Sequence, residues 1–358
     1  MQIKNFIKMH LFFYISLMFV LSNCVSSNSK NSHECIGSND TLYITYHGNA
    51  ELVHFKMFQG IDLILKQESK HLFVGACPIK NVEDAYFSYD MVVYKFDSVG
   101  NYKNINYRNK ILGDDYFIWQ GKNRKNTFFK TNLVKGSIIS KDIQSEHLGE
   151  SRKISIYYPH HFDQNVPIFY MTDGTIINDY AKYIDTLISA RLIKPLILIG
   201  VHSSEDHRYE EYVEGNNDNS YFIKHRDFFF DEVIKSLEKD IENWCGKRYL
   251  YGFSNGGAFC MNIGINYPNL FEEIIAFSTA DYISEFLRPI EFNFVHYPKF
   301  YMGAGKYENL LFKNNTNFYS KMKSQNINVQ FKTFISGHDH NVWRYEFLEY
   351  LLKEIPVN

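Results

Sequence analysis

What most limits the folds open to this chain is the succession of segments after Ile154. Residues 196–201 (Leu-Ile-Leu-Ile-Gly-Val) form a nearly continuous apolar run, the pattern of a strand buried on both faces. Around it, 154–158, 168–171 and 248–252 read as strands, and 176–192 and 228–243 as helices. Strands alternating with helices of this length make βαβ units. The second part of the chain, 136–358, is therefore expected to be α/β, with a mostly parallel sheet and helices on both faces.

Residues 41–135 follow another grammar. Segments 42–46, 72–75, 85–89 and 91–96 are short and rich in aromatic and β-branched residues. Gly, Asn and Asp separate them at intervals of about 10–15 residues, the spacing of a β-sandwich. With 45% apolar and 17% aromatic residues among 358, the chain can build both cores, which excludes general disorder. The balance of 38 Lys+Arg against 40 Asp+Glu leaves no basic surplus, so nucleic acid is not an expected partner.

The amino terminus reads as an export signal. Lys4 and Lys8 precede an unbroken apolar run over 11–21, followed by Ser22-Asn23-Cys24. The run is too short for a membrane span, which needs about 20 residues. Leu21-Ser22-Asn23-Cys24 is also similar to a bacterial lipobox, in which Cys24 would carry the lipid and anchor the protein to a membrane. Plain secretion is the alternative. Signal peptide 1–23 and a flexible Ser/Asn-rich tether 24–40 would thus precede the sandwich. Outside the cytoplasm Cys35 and Cys77 could pair, while Cys245 and Cys260 could be buried thiols.

Residues 252–256 read Gly-Phe-Ser-Asn-Gly. In a Gly-x-Ser-x-Gly elbow the Ser sits on a tight strand-to-helix turn that exposes its hydroxyl, and the glycines admit close backbone. Only about 0.08 such patterns arise by chance in a chain of this composition. A strand-like segment before Ser254 and a helix-like one over 257–267 strengthen the assignment. Ser254 is the candidate nucleophile, and it needs a base. His338, in Gly337-His338-Asp339-His340 after the strand-like 329–335, is the candidate; His340 is the rival. A metal site at Asp339 and His340 lacks a known ligand spacing, and acyl transfer by a serine requires neither metal nor organic cofactor. The acid could be Glu308, in the loop after a strand near residue 300, or Asp281.

Together these residues resemble the Putative esterase family of α/β-hydrolases, whose relatives include enterochelin (siderophore), feruloyl and acetyl-xylan esterases and esterase D. The resemblance spans about residues 136–355. It rests on Ser145-Glu146-His147-Leu148-Gly149-Glu150-Ser151-Arg152 (S-x-x-L-G-x-x-R), Tyr170-Met171-Thr172-Asp173-Gly174 (Y-x-x-D-G) and Arg208-Tyr209-Glu210-Glu211-Tyr212 (R-x-x-E-Y). The elbow and Gly337-His338-Asp339 with Trp343-Arg344 complete it. It implies an α/β-hydrolase fold with Ser254, His338 and Glu308 as nucleophile, base and acid. The oxyanion hole would use backbone N–H groups of Asn255 and of Gly174 or Thr175, with Asp173 holding that turn. Many members have Ser-Met-Gly where this chain has Ser-Asn-Gly, which leaves the backbone donor in place. The amino-terminal sandwich resembles the immunoglobulin-like modules that precede some such esterases.

The expected function is a serine esterase working outside the cytoplasm on a small-molecule or carbohydrate ester, of siderophore or feruloyl type. The alternatives are a ligand- or glycan-binding lipoprotein on a hydrolase scaffold, or an acyltransferase using the same serine. Residues 203–227 read as a long loop, and Arg208 and Tyr212 in it, with Trp343, are candidates for the substrate mouth.

Overall fold

The computed structural model describes residues 32–96, 102–107, 116–124, 132–215, 219–241, 244–280 and 296–357. The export segment, Cys24 and Asp281 lie outside the described residues. Among those described, no helix is long and apolar enough to cross a membrane.

The first unit is built from strands β1 (Ser32–Ser38), β2 (Thr41–His47), β3 (Leu52–Met57), β4 (Asp62–Ile64), β5 (Lys66–Ser69), β6 (Leu72–Pro78), β7 (Tyr86–Phe96), β8 (Tyr102–Tyr107) and β9 (Phe117–Gln120). They form two antiparallel sheets. One has the order β1-β2-β6-β5, the other β4-β3-β7-β8 with β9 also paired to β7. Alternate residues point inward: Leu42, Ile44 and Tyr46 from β2, and Val53, Phe55 and Met57 from β3, are all buried. That period of two is what a half-buried strand requires.

Three expectations change here. Residues 32–38 pair as β1 along β2, so the ordered unit begins inside the stretch read as tether. Segments 85–89 and 91–96 are one eleven-residue strand, because Asp90 does not break it and stays in register opposite Lys56. Cys35 and Cys77 are free thiols. They lie on β1 and β6, the two outer neighbours of β2. Two strand spacings separate them by about 10 Å, beyond the roughly 7 Å a disulfide can bridge.

The second unit contains β10 (Ser137–Gln144), β11 (Ser151–Tyr158), β12 (Ile168–Thr172), β13 (Ile197–Val201), β14 (Arg248–Phe253), β15 (Glu273–Phe277), β16 (Lys299–Gly305) and β17 (Val329–Phe334). Their order is β10-β11-β13-β12-β14-β15-β16-β17. β10 and β11 pair antiparallel, as do β11 and β13; every later pairing is parallel. This is the α/β-hydrolase sheet.

Among the described residues the helices are α1 (Ile177–Ser189), α2 (Arg208–Tyr212), α3 (Ser220–Asp227), α4 (Lys235–Lys239), α5 (Ser254–Asn266), α6 (Leu310–Ser324) and α7 (His340–Glu354). A wider π-type helix, Phe228–Ile234, joins α3 to α4. The helix read at 228–243 therefore starts earlier, at Ser220. Residues 203–227 carry α2 and α3 instead of being a bare loop.

Alternate residues of the central strands serve two cores. Phe169, Met171, Tyr249 and Tyr251 face α1 and α7, and Tyr170, Leu250 and Ile274 face α5, α6 and the 220–239 helix. The first of these cores runs without a break into the β-sandwich, where Tyr86 stacks on Tyr345 of α7 at 4.2 Å. Between the units, the buried carboxylate of Asp185 accepts the backbone N–H groups of Val134, Lys135 and Gly136 and the Tyr157 hydroxyl. It clasps the connecting segment just before β10.

Two imidazoles, His225 fully buried and His33 partly so, make stability depend on pH. Burial pushes His33 and His225 each down to about 4. Arg152 already neutralises the Glu211 carboxylate beside His225, so no imidazolium is needed there. Both rings are neutral in the folded chain and protonate near 6.5 once unfolded. Protonation thus favours the unfolded chain: the stabilisation is complete above pH 6.5 and is lost as pH falls toward 4, by on the order of 3 kcal/mol per ring. Replacing both by Gln should flatten the fall in thermal midpoint between pH 7 and 5. An unchanged slope would contradict the assignment.

Candidate active site

β14 delivers Ser254 at the carboxyl edge of the sheet. Phe253 is extended, Ser254 has φ 53°, and α5 starts there. A left-handed serine is strained, and persists only where packing dictates it. The two glycines explain how. A Cβ on Gly256 would lie 2.2 Å from Thr172 Oγ1, and one on Gly252 2.6 Å from the Gly256 carbonyl oxygen. The helix start is pressed against the ends of β12 and β14, leaving the hydroxyl outward and half-buried.

His338 follows β17. Its Nε2 lies 3.1 Å from Ser254 Oγ, and its Nδ1 lies 3.0 Å from Glu308 Oε2. A carboxylate only accepts, so Nδ1–H donates to it, and Nε2 is free to accept from the serine hydroxyl. Glu308 stands in the turn after β16 with its side chain fully buried. Its other oxygen accepts from Ser278 Oγ at 2.5 Å and from the Gly305 N–H at 2.6 Å. His340 is exposed at the start of α7, and it is His338 that reaches the serine.

Ser278, which sequence reasoning missed, connects this site to Trp343. The indole N–H donates to Ser278 Oγ at 2.8 Å. The indole stacks on Phe253 and meets the edge of the His338 ring, both at 4.6 Å between ring centres. Trp343 is thus 4% exposed beneath the imidazole, which removes it from the substrate mouth. A serine at a strand end gives no sequence signal of such a bridge.

The remaining motifs lock onto one another. Arg208 holds Asp173 bidentately, at 2.5 and 2.8 Å. The Asp173 N–H donates to the Tyr212 hydroxyl at 2.9 Å, and Arg152 grips Glu211 at 2.7 and 2.9 Å. Tyr212 is fully buried and cannot line a mouth. Arg208 is paired with Asp173 and holds the turn, with its side chain still 32% exposed. Asp173 has φ 57°, and the turn Gly174–Ile176 follows it. A Cβ on Gly174 would lie 2.3 Å from His202 Cδ2, so only glycine fits this packing. The Gly174–Thr175 turn follows β12 and Asn255 follows β14, and these strands are neighbours. Both turns open at a helix start, where the first N–H groups lack intrahelical acceptors and favour negative charge. Among the described residues, no cluster of three or more His, Cys, Asp or Glu side chains is placed to hold a metal.

Residues 145–293 match the family model described as Putative esterase. The resemblance read from the motifs is borne out. Among solved structures, the chain is similar to enterochelin esterase from Shigella flexneri, at 13% identity and TM-score 0.64 over 90% of this chain and 94% of that one. It is similar to ferric enterobactin esterase from Salmonella typhimurium, at 12% identity and TM-score 0.66 over 89% and 95%. An IroE-like serine hydrolase from Shewanella oneidensis aligns at 20% identity and TM-score 0.52 over 61% of this chain and 80% of that one. At these identities the likeness establishes the α/β-hydrolase fold. No curated protein matches the sequence.

Proposed function

We propose that this protein is a serine esterase in which Ser254 is the nucleophile, His338 the general base and acid, and Glu308 the group that orients the imidazole. The observation that carries this is the relay of 3.1 and 3.0 Å from Ser254 through His338 to a buried carboxylate. As Ser254 Oγ bonds to the ester carbonyl carbon, its proton passes to His338 Nε2. The carbonyl oxygen becomes an oxyanion, held by the N–H groups of Asn255 and of Gly174 or Thr175. The C–O bond to the alcohol then breaks, and the alcohol leaves with the proton from Nε2. Water repeats the sequence on the acyl-enzyme and frees Ser254. Neither a metal nor an organic cofactor enters these steps.

The substrate class favoured is a siderophore-type ester. The hydrolase unit, 136–358, is under two thirds of the chain, whereas the likeness to the two enterobactin-type esterases runs over 89–90% of it and so takes in the sandwich. Feruloyl and carbohydrate esters are the comparison. A fluorophosphonate probe should label Ser254, and catecholate-siderophore esters should be cleaved faster than feruloyl or acetyl-xylan esters. A chain that takes no label, beside a serine hydrolase that does, would end the esterase reading.

We also propose that the protein is exported and held at a membrane by a lipid on Cys24, on the strength of the charged and apolar pattern of 1–24. Cells fed a labelled fatty acid should incorporate it into the wild-type chain and not into Cys24→Ala. Equal incorporation into both would refute the anchor.

A further inference from the structure

The loop carrying His338 is gripped from both sides by the β-sandwich. On the amino side, Gly337 packs on the turn after β3: a Cβ there would lie 2.3 Å from the Phe58 carbonyl oxygen and 3.0 Å from that of Gln59. On the carboxyl side, Asp339 Oδ2 accepts the Ser88 N–H at 2.5 Å and Oδ1 accepts the Ser88 hydroxyl at 3.1 Å. Asn341 Nδ2 donates back to Ser88 Oγ at 2.8 Å. The two grips are one device, because the Phe58 N–H donates to the Ser88 carbonyl at 3.2 Å. Ser88, Asp339 and Asn341 are at most 2% exposed.

We infer that Ser88 of the β-sandwich, with the Phe58–Gln59 turn, is a positioning element for His338, so that the first unit completes the geometry of a site whose three reacting groups all belong to the second. This rests on the reading of Ser254, His338 and Glu308 given above. Capping of α7 does not by itself account for the arrangement. The cap requires only the bond from the Asn341 N–H to Asp339 Oδ1, at 2.9 Å. The second carboxylate oxygen and the remaining capacity of the first are given to a strand some 250 residues earlier in the chain. A buried carboxylate with several donors is held tightly, because each charge-assisted bond is short and directional. Fixing residues 337 and 339 leaves the backbone at 338 little freedom, and the imidazole inherits that constraint.

The test uses the full chain and a fluorophosphonate, with p-nitrophenyl butyrate as a small ester that asks little of the substrate mouth. The variants are Ser88→Ala, which removes the hydroxyl from Asp339 and Asn341, and Gly337→Ala, which forces the loop off the Phe58 carbonyl. A misplacement of about 1 Å can cost on the order of 100-fold in rate. Gly337→Ala should therefore lower the labelling rate constant and kcat by about that factor, and Ser88→Ala by about tenfold. KM should stay within about twofold, and labelling should still reach one probe per chain. Full stoichiometry counts folded molecules, so the rate per site is separate from any loss of stability. Ser88→Thr, which keeps the hydroxyl, should recover part of the rate. If the wild-type chain labels and both variants label at its rate with only a lower thermal midpoint, the contact is structural and the inference falls alone. A wild-type chain that takes no label overturns the esterase reading and this inference with it.

Discussion

Replacing Ser254 with alanine is expected to lower kcat on any ester this protein cleaves by about 10⁶-fold, the usual cost of removing the nucleophile of a serine–histidine pair. The effect is this large because the proposed relay acts as a unit: without Oγ there is no nucleophile and no proton for His338 to take, so the imidazole that Glu308 orients has nothing to activate. KM should change little, since the hydroxyl is a small part of any binding surface. Fold should persist. Ser254 stands half-exposed on a left-handed backbone, and alanine accepts that conformation about as poorly as serine does. Residual hydrolysis above the uncatalysed rate would come from the oxyanion donors and from binding alone. Activity within tenfold of wild type would mean that another group is the nucleophile.

Glu308→Gln should cost about 10⁴-fold in kcat, again with KM nearly constant. An amide of the same shape offers a donor as well as an acceptor toward His338 Nδ1, and the imidazole can then settle in the wrong tautomer. Two more donors depend on the carboxylate, the Ser278 hydroxyl and the Gly305 N–H. Glu308→Ala would strand both in a buried place, so it should lower stability as well as rate, which makes Gln the cleaner probe. If Glu308→Gln keeps more than a tenth of the activity, the serine works with little help from an acid. Asp281, the other candidate, would then be the next substitution to make.

Much of this arrangement was legible in the sequence because the relevant signals are local. β13 shows itself as an apolar run since both its faces are covered, and the elbow shows itself through the glycines that its tight packing demands. The order Ser254, Glu308, His338 along the chain is legible as a candidate relay from the sequence itself. α7 was not legible. Its buried residues, among them Val342, Trp343, Tyr345, Phe347, Leu348, Tyr350 and Leu351, go round most of the helix. Packed between sheet, α1 and sandwich, it has no single apolar stripe to betray its period. The burial of Tyr212 is illegible for a related reason. An aromatic residue in a loop-like stretch suggests exposure, but Tyr212 is fully buried and, like Arg208, has its polar partner some 35–39 residues away in Asp173. Pairings across that distance leave no periodic trace. Ser88 is the extreme case, an ordinary serine in a strand whose partner lies 251 residues on.

The clasp of Asp185 on residues 134–136, together with the core that continues from sandwich into hydrolase, has a consequence for how a substrate comes and goes. Many two-lobed enzymes swallow their ligands by swinging one lobe against the other. Here such a swing would tear Tyr86 from Tyr345 and flood the Asp339 carboxylate with water. A continuous core and a buried carboxylate clasp both oppose such a swing, which leaves the loops at the rim as the parts freest to admit a substrate of the proposed esterase.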